Sequence, residues 1–394
     1  MAEQQDNFVA FSRPDIGPDE IAEAVDTLGS DWITTGPKVS RLEEEFRNFV
    51  GAPAALALAS ATDAMLVALA ALDVGPGDEV ISTPMTFCST LHVIEHRGAR
   101  PRLVDVEPDT LNLDPAQAAA AVNPATRAIL PVHLYGHPCD LDSIHALAGR
   151  HGLAVVEDAA HALPAGYKGR MIGSGGNLTA FSFYATKNMT TGEGGMLTGD
   201  AELIERCRPW SLHGMSRDAY KRYSAQGSWR YEVVQPGYKC NLTDIAASLG
   251  IHQLRRLPAF QQRRREIVDR YNQGLAGLAE ISAPTFRPEV EPAWHLYVIR
   301  LNLGRLAIDR DKFIEQLRQR GIGASVHFIP NHLQPYYRDK YGYRPEDFPV
   351  AWAEFQRIIS LPLHTRMSDA EVDRVIQAVR AVAEAGRKRV TAAG

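Results

Sequence analysis

The segment FSFYATKNMTTGEGG, residues 181–195, places Lys187 between an apolar, β-prone run and a glycine-rich stretch. A lysine amine has a pKa of about 10.4 in water and is a poor nucleophile at neutral pH. In a polar, partly dehydrated pocket it can form a Schiff base, which splits one difficult reaction step into easier ones. Most lysines lie in solvent instead, so Lys187 is a candidate for chemistry only if the chain supplies partners for it.

Two carboxylates, Glu157 and Asp158, follow the apolar run LAVV, and His161 comes three residues after the second one. An ionised carboxylate that leaves a buried strand is costly unless it has a partner. One solution is a structural pair between either carboxylate and a lysine or arginine. The functional alternative is that Asp158 faces a cationic ring nitrogen and that His161 forms a hydrogen bond nearby.

Small residues and hydroxyls open the helix that follows the run LALA, in the order Ser60, Ala61 and Thr62. The first amides of a helix lack intrahelical partners and the helix dipole favours negative charge there, so this segment is suited to an anion such as phosphate. The simpler interpretation is that Ser60 or Thr62 only caps the helix.

An aromatic residue, Phe87, follows the strand-like run EVIS, where it either joins the core or stacks on a planar cofactor. Ligands of open parallel α/β sheets bind outside the carboxyl ends of the strands. A phosphate cradle, an aromatic plate, a carboxylate for a pyridinium nitrogen and a lysine for an aldehyde would therefore meet at one edge. This set predicts pyridoxal 5′-phosphate (PLP), which is recognised by its Schiff-base lysine and its pyridinium–aspartate pairing.

The elements that must position these side chains alternate between strand and helix from residue 54 onward. Short apolar runs such as EVIS predict strands, and helical segments such as STLHVIEHRG follow them. This alternation predicts an α/β fold with a mostly parallel sheet that is covered on both faces.

The pattern changes at about residue 241, where a long helical stretch begins that we expect to break at Pro258. The predicted organisation is an N-terminal arm at 1–20, a large PLP-binding α/β domain at 21–255, and a linking helix with a smaller α+β domain at 256–394. At the start of the large domain, the helical segment GPDEIAEAVDTLGS carries an apolar stripe of Ile21, Val25 and Leu28.

The composition of the 394 residues, 45% hydrophobic and 23% charged, is typical of a soluble globular enzyme. The net charge of -5 leaves no basic footprint, so nucleic acid is not an expected partner. Four cysteines without C-x-x-C spacing argue against a disulfide scaffold or a thiolate metal site. Because the chain has no signal-like start and no apolar run of about eighteen residues, we expect a cytoplasmic protein without a membrane partner.

Ten segments carry a resemblance to a known family, and their order and spacing extend over nearly the whole chain. They are DWITTGPKV (31–39), SATDA, PMTF, PVHLYG, VVEDAAHA, YKGRMIGS, FSFYATKNMTTGEGG, PGYKCNLTDIAA, GIGASVHF and SLPLH (360–364). They resemble the DegT/DnrJ/EryC1/StrS sugar aminotransferases, in fold type I of the PLP enzymes. The closest resemblance is to the branch that aminates C4 of nucleotide-linked 4-keto sugars. It implies an aspartate-aminotransferase-like fold.

By position in these motifs, the resemblance implies that Lys187 is the lysine that bonds to PLP. It places Asp158 at the pyridinium nitrogen and His161 near the ring hydroxyl, where relatives carry Gln or His. Phe87 takes the stacking position, where relatives carry Phe, Trp or Tyr.

The remaining motif positions concern the phosphate and the sugar. The amides of Ala61 and Thr62 and the hydroxyl of Ser182 match phosphate ligands of the family. Tyr184 and His327 match positions near the sugar.

Lys239, in the segment GYKCN, matches a residue that the neighbouring subunit donates to the phosphate, although many relatives carry Asn there. This match implies a homodimer with shared active sites. The following residue, Cys240, stands where relatives often carry Tyr.

The resemblance also implies the reaction. Related sugar dehydratases carry histidine in place of Lys187, so lysine here favours amino transfer. We expect L-glutamate as the amino donor and C4 of a dTDP-4-keto-6-deoxyhexose as the acceptor, for a natural product or a surface glycan. A UDP-4-ketopentose or a 3-keto sugar is the alternative acceptor.

Other functions occur on this fold. A non-catalytic PLP-binding regulator is expected to carry an added DNA-binding segment, and the sequence has no basic helix-turn-helix extension. A cysteine desulfurase needs a cysteine on a mobile loop near Lys187, and Cys88 is the cysteine closest to the predicted ring position.

Overall fold

The computed structural model describes residues 8–215 and 231–388, which form twelve α-helices and thirteen β-strands. The helices are α1 Pro18–Leu28, α2 Pro37–Val50, α3 Ala61–Ala71, α4 Ser89–His96, α5 Pro115–Ala121, α6 Leu141–His151, α7 Ala201–Ser211, α8 Asp244–Gly274, α9 Arg310–Gln319, α10 Pro335–Tyr341, α11 Pro349–Phe355 and α12 Asp369–Ala385. The strands are β1 Ala54–Leu58, β2 Glu79–Ser82, β3 Arg100–Leu103, β4 Thr126–Ile129, β5 Ala154–Asp158, β6 Gly166–Tyr167, β7 Arg170–Met171, β8 Leu178–Ser182, β9 Gly195–Gly199, β10 Ile281–Ser282, β11 Val290–Glu291, β12 Tyr297–Leu301 and β13 Ile358–Leu361.

A seven-stranded sheet in the order β1-β9-β8-β5-β4-β2-β3 lies within the residues predicted to form the large domain. Six of its strands are parallel to one another, and β9 is antiparallel to both of its neighbours. The predicted α/β class with a mostly parallel sheet is therefore confirmed.

Helix α3 packs against four of these strands and is apolar along nearly its whole length. A helix that is hydrophobic on all sides is stable only when it is covered on all sides, and α3 is buried between the sheet, α4 and α7. Its first residue lies three positions after the end of β1. The carboxyl ends of β1, β2, β5 and β8 therefore reach the same edge of the sheet as the start of α3.

Helix α8 runs without interruption through Pro258, so the expected break there is wrong. A proline inside a helix removes one backbone hydrogen bond and clashes with the preceding turn. Packing of α8 against α1, α2 and α12 outweighs that cost, because tertiary contacts supply most helical stability in proteins. The helix also crosses the predicted domain boundary at 255/256, so both parts of the chain share it.

The C-terminal part contains the antiparallel sheet β10-β12-β13 with α9 and α12 packed beside it. Val9 of the N-terminal arm pairs with Ile322 and is fully buried in the core of this part. Residues 1–7 of the predicted arm lie outside the described residues. Within the described ranges, no helix is both long and apolar enough to cross a membrane.

Helix α1 has the opposite orientation to the one that its pattern suggests. Its apolar residues Ile21, Val25 and Leu28 are 56%, 62% and 62% exposed, whereas Glu20 is fully buried. Glu20 accepts hydrogen bonds of 2.7 Å from Gln253 and from Arg256 on α8. The buried carboxylate of Glu20 and its partners on α8 therefore turn the polar side of α1 inward, and its apolar stripe faces outward from the single chain.

Candidate active site

A cavity of about 490 Å³ lies at the carboxyl edge of the seven-stranded sheet. Nine of the ten predicted site residues line it: Ala61, Thr62, Phe87, Asp158, His161, Ser182, Tyr184, Lys187 and His327. The structure thus brings together residues from five separate segments of the chain. Lys239 does not line this cavity.

Lys187 follows β8 in a turn in which its backbone amide donates to the carbonyl of Tyr184 at 2.9 Å. Burial of the amine lowers the pKa of Lys187 to about 8, and the negative charge of Asp158 offsets part of this effect. A substantial fraction of the amine is therefore neutral near pH 8. This is the state that Schiff-base formation requires.

Asp158 is the last residue of β5 and is 5% exposed. Its Oδ2 accepts a hydrogen bond of 2.8 Å from the hydroxyl of Thr90, and its Oδ1 accepts one of 3.1 Å from the amide of Ala160. Among the described residues, no lysine or arginine forms an ion pair with it. The carboxylate therefore presents its negative charge to the cavity.

Glu157 lies beside Asp158 in the chain but has different partners. Its Oε2 is 3.0 Å from Nε2 of His133, and its Oε1 accepts from Asn177 at 3.3 Å. Burial alone would raise the pKa of Glu157, but hydrogen bonds with His133 and His145 lower it to about 2. The structural pairing predicted for one of the two carboxylates is therefore present at Glu157, with histidine in place of lysine or arginine.

His161 is buried, and its Nδ1 is 3.3 Å from the backbone N–H of Tyr135. Because Nδ1 accepts that hydrogen bond, the neutral ring carries its proton on Nε2. Burial, together with the charge of Lys187, holds the pKa of His161 well below 6.5. The ring is a neutral hydrogen-bond donor in the wall of the cavity.

The start of α3 supplies donors for an anion. Ser60 caps the helix by accepting from the amide of Asp63 at 3.0 Å, so the simpler interpretation of its hydroxyl is correct. The amides of Ala61 and Thr62, at the first two helical positions, lack intrahelical partners. A Cβ atom on Gly195 would lie 2.7 Å from the nitrogen of Ala61, so glycine at this position allows β9 to approach the cradle closely.

Two predicted residues lie at the mouth of the cavity, where Phe87 is 58% exposed and Tyr184 is 46% exposed. Phe328 lies against Phe87 with 5.8 Å between the ring centres. Nδ1 of His327 is 2.9 Å from the hydroxyl of Ser360, which joins the motifs GIGASVHF and SLPLH.

Sequence reasoning missed His295 and Phe328, which enter the cavity wall from the C-terminal part of the chain. His295 is 6% exposed and its ring centre lies 4.4 Å from that of His161. Its Nδ1 is 3.1 Å from Oδ1 of Asn188, one residue after Lys187. His295 lies two residues before β12 of the smaller sheet, so the rule on the carboxyl ends of the large sheet's strands gave no signal for it.

Lys239 is exposed, and its amine contacts Oδ1 of Asn241 in the same chain. The predicted donation of Lys239 to a neighbouring subunit stays a prediction. Cys88 directly precedes α4, beside Phe87, but does not line the cavity, and burial raises the pKa of its thiol.

These groups fit PLP. The free amides at the start of α3 suit a phosphate, the amine of Lys187 suits an aldehyde and the carboxylate of Asp158 suits a pyridinium nitrogen. When bound, PLP supplies the electron sink that stabilises negative charge at the carbon next to the amino group.

Comparisons with known proteins identify the family of the chain. A model of the DegT/DnrJ/EryC1/StrS aminotransferase family matches residues 14–380. The spore coat polysaccharide biosynthesis protein SpsC of Bacillus subtilis (strain 168) is 50% identical over 382 residues, which cover 96% of this chain and 98% of SpsC.

Two solved structures extend the comparison to three dimensions. Spr1654 of Streptococcus pneumoniae is assigned as a sugar aminotransferase and was solved in PMP and PLP forms. Its PMP form is 40% identical to this chain with a TM-score of 0.90, and the match covers 96% of this chain and 99% of Spr1654. S. venezuelae DesV, solved in complex with a ketimine intermediate, is 36% identical with a TM-score of 0.82 over 93% of this chain and 94% of DesV. The chain therefore belongs to the DegT/DnrJ/EryC1/StrS aminotransferase family and is a PLP-dependent enzyme.

Proposed function

We propose that this enzyme transfers the amino group of L-glutamate to C4 of a nucleotide-linked 4-keto sugar. A dTDP-4-keto-6-deoxyhexose is the expected acceptor, and a UDP-4-ketopentose or a 3-keto sugar is the alternative. The observation that carries the proposal is a buried amine, Lys187 with a pKa of about 8, next to the unpaired negative charge of Asp158 in one cavity. SpsC is named for the biosynthesis of a polysaccharide, which favours a surface glycan over an antibiotic as the destination of the product.

Each residue of the chain has a defined task in this proposal. Lys187 takes a proton from the donor carbon and later delivers one to the acceptor carbon, which requires that its amine be neutral at the start. Asp158 keeps a negative charge opposite the ring nitrogen of the cofactor. The Nε2–H of His161 donates to the ring hydroxyl, and the amides of Ala61 and Thr62 hold the phosphate.

The sugar is expected at the mouth of the cavity. Tyr184 and Phe87 are exposed there, and His327 lines the wall beside them. Burial lowers the pKa of His327 to about 4, so its ring is neutral at physiological pH and can accept or donate a hydrogen bond to a sugar hydroxyl.

The decisive experiment incubates the purified holoenzyme and L-glutamate with a panel of nucleotide-linked 4-keto and 3-keto sugars. Amino-sugar products are identified by mass spectrometry, and NMR assigns the aminated carbon. A 4-amino sugar is expected. Amination at C3 would replace the proposed position with the alternative one, and a protein that binds PLP but aminates no member of the panel would contradict the proposed acceptor class.

The Lys187→Ala variant is the control for this experiment. We expect it to retain PLP binding and to lose about 10²–10⁴-fold in turnover, because positioned proton transfer by one group contributes that much. Amino transfer by Lys187→Ala at the wild-type rate would remove Lys187 from the proposal. Formation of alanine from cysteine by the wild type, with the sulfur appearing as sulfide when a thiol reductant is added, would instead favour the desulfurase function.

We also propose that the active enzyme is a homodimer with shared sites. The outward stripe of Ile21, Val25 and Leu28 supports an interface between copies of this chain, since contiguous exposed apolar surface marks interaction sites. Lys239, exposed and outside the cavity of its own chain, is available to a neighbouring copy.

Mixed dimers test the shared site. We expect Lys187→Ala and Lys239→Ala homodimers to be impaired for different reasons. A heterodimer of the two contains one site with both Lys187 and the lysine from its partner, so mixing under exchange conditions should restore activity. If Lys239 acts within its own chain, mixing restores nothing.

A further inference from the structure

We infer that Thr90 is a positioning residue for the carboxylate of Asp158, and that Thr86 directs the hydroxyl of Thr90 toward it. The two threonines and the aspartate form a one-way hydrogen-bond chain in the wall of the cavity, with Thr90 behind its surface. The inference rests on the proposed pairing of Asp158 with the ring nitrogen of PLP. It adds two residues to that pairing, one of which, Thr90, does not line the cavity.

The direction of the chain follows from proton counting. Oγ1 of Thr90 lies 2.8 Å from Oδ2 of Asp158, and an ionised carboxylate can only accept hydrogen bonds, so Thr90 donates. Oγ1 of Thr86 lies 2.7 Å from Oγ1 of Thr90. Because a hydroxyl has a single proton and Thr90 has already given its proton to Asp158, the donor in the second bond is Thr86.

Both carboxylate oxygens of Asp158 accept a hydrogen bond. Oδ2 of Asp158 is bound by Thr90 from helix α4, and Oδ1 is bound by the amide of Ala160. The torsion that rotates an aspartate carboxylate is broad and has no sharp preference of its own. One donor on each oxygen therefore restricts the rotation of the carboxylate and leaves its remaining lone pairs for the cavity.

Burial makes this arrangement stiff. Thr90 is fully buried and Thr86 is 2% exposed, so water does not compete for their hydroxyls. The backbone of Thr86 is anchored as well, because Nδ2 of Asn331 donates to its carbonyl at 2.7 Å. Asn331 comes from the C-terminal part of the chain and is 1% exposed, so the start of the hydrogen-bond chain is attached to that part.

The matched pair Thr90→Val and Thr90→Ser separates positioning from packing. Valine keeps the shape of threonine without the hydroxyl, and serine keeps the hydroxyl without the methyl group. The PLP dissociation constant of the apoprotein is measured by fluorescence quenching, and the visible absorbance of the glutamate-free holoenzyme is titrated with pH. The melting temperature of the apoprotein reports whether each variant still folds.

For Thr90→Val we expect a PLP dissociation constant about tenfold larger, which is the lower end of what a hydrogen bond to a charged group contributes. We also expect a shift in the pH midpoint of the absorbance titration. For Thr90→Ser we expect values within about twofold of wild type on the same scale. The inference is overturned if Thr90→Val matches the wild type in both measurements, or if Thr90→Ser is as impaired as Thr90→Val.

A second variant protects the test against misfolding of Thr90→Val. Thr86→Val removes the outer donor only and should shift both measurements in the same direction by a smaller amount. The double variant of Thr86 and Thr90 should be no worse than Thr90→Val alone, because the outer bond acts only through the inner one. Additive losses in the double variant contradict the chain.

Asp158→Asn, measured in parallel, separates this inference from the proposed function. If Asp158→Asn alters the absorbance titration and Thr90→Val does not, only the positioning role fails. If neither variant alters it, the proposed pairing of Asp158 with the cofactor fails as well. Neither readout uses a sugar, so a wrong acceptor leaves both results unaffected.

Discussion

The two faces of strand β5 put the same functional group to different uses. Glu157 and Asp158 are neighbours in sequence and are 4% and 5% exposed, so burial does not distinguish them. Side chains alternate between the faces of a strand, and the two carboxylates therefore have different surroundings. Glu157 is bound by His133 and Asn177 away from the cavity, whereas Asp158 is bound by Thr90 and Ala160 and lines it.

The difference shows what to look for in a buried carboxylate. The histidine that faces Glu157 accepts the amide of Cys139 on Nδ1 at 3.0 Å, so its Nε2 carries a proton for Glu157. That pair joins two segments of the fold and faces no cavity that holds the other site residues. Asp158 also receives two neutral donors, but it lines the cavity that holds the other site residues. The face of the strand, more than the depth of burial, separates the structural carboxylate from the functional one.

The sharpest test of this contrast is Asp158→Asn, which removes the charge with little change of shape. We expect the glutamate-dependent change in the visible spectrum to slow by about 10²–10³-fold, the loss typical for one electrostatic contact to a reacting centre. The measurement is stopped-flow absorbance of the holoenzyme with glutamate alone. An unchanged rate would place Asp158 in the same structural category as Glu157.

Glu157→Gln is the matched change on the other face, and we expect it to alter stability more than rate. The pKa of Glu157 is lowered from 4.5 to about 2 in the folded chain, so its ionised form stabilises the fold above pH 4.5. That contribution, up to about 3 kcal/mol, is lost as the pH falls from about 4.5 to about 2. Denaturant unfolding of wild type and variant across this range should show a stability gap that closes in acid. A gap that is constant with pH would contradict the assignment.

The pKa of Lys187 provides a smaller but more direct comparison of the two faces. Asp158 raises this pKa through its charge, while burial lowers it to about 8. Asp158→Asn should therefore shift the pH midpoint of PLP reconstitution into the apoprotein below 8. Glu157→Gln should leave the midpoint where it is in the wild type. Equal shifts in both variants would mean that the strand does not insulate one face from the other.

The smallest expected effect belongs to His145, which lies 3.8 Å from Glu157 and has a side chain that is 41% exposed. His145→Ala should cost at most about 0.5 kcal/mol of stability, because exposed ion pairs contribute little. The same denaturant measurement checks this, with Glu157→Gln as the reference. A loss of stability as large as that of Glu157→Gln would show that Glu157 depends on His145 more than on His133.

Local pattern was sufficient to predict the sheet, its alternation with helices and the edge at which the site forms. Strand β9, Gly195–Gly199, was not identified as a strand, because two of its five residues are glycine and its β-propensity is weak. It forms only because β1 and β8 hold it on both sides. Its place explains the glycine-rich end of the Lys187 motif, where Gly195 lies against the start of α3.

Distant contacts also decide the orientation of α1 and the continuity of α8. Periodicity reveals which side of a helix is apolar, but the hydrogen bonds of the buried Glu20 with Arg256 and Gln253, more than 230 residues away along the chain, decide which side faces in. In the same way, Pro258 signals a local cost that the neighbouring helices outweigh.

By itself, the sequence determined the types of groups at the strand ends and hence the chemistry of the cofactor, since Lys187, Asp158 and the start of α3 each follow a recognisable local element. Only the tertiary structure decided which of two adjacent carboxylates faces the cavity and which side chains from the C-terminal part join it. His295 and Phe328 lie more than 100 residues from Lys187. Contacts between residues so far apart in the sequence depend on how the elements pack, and a local pattern of residues does not predict them.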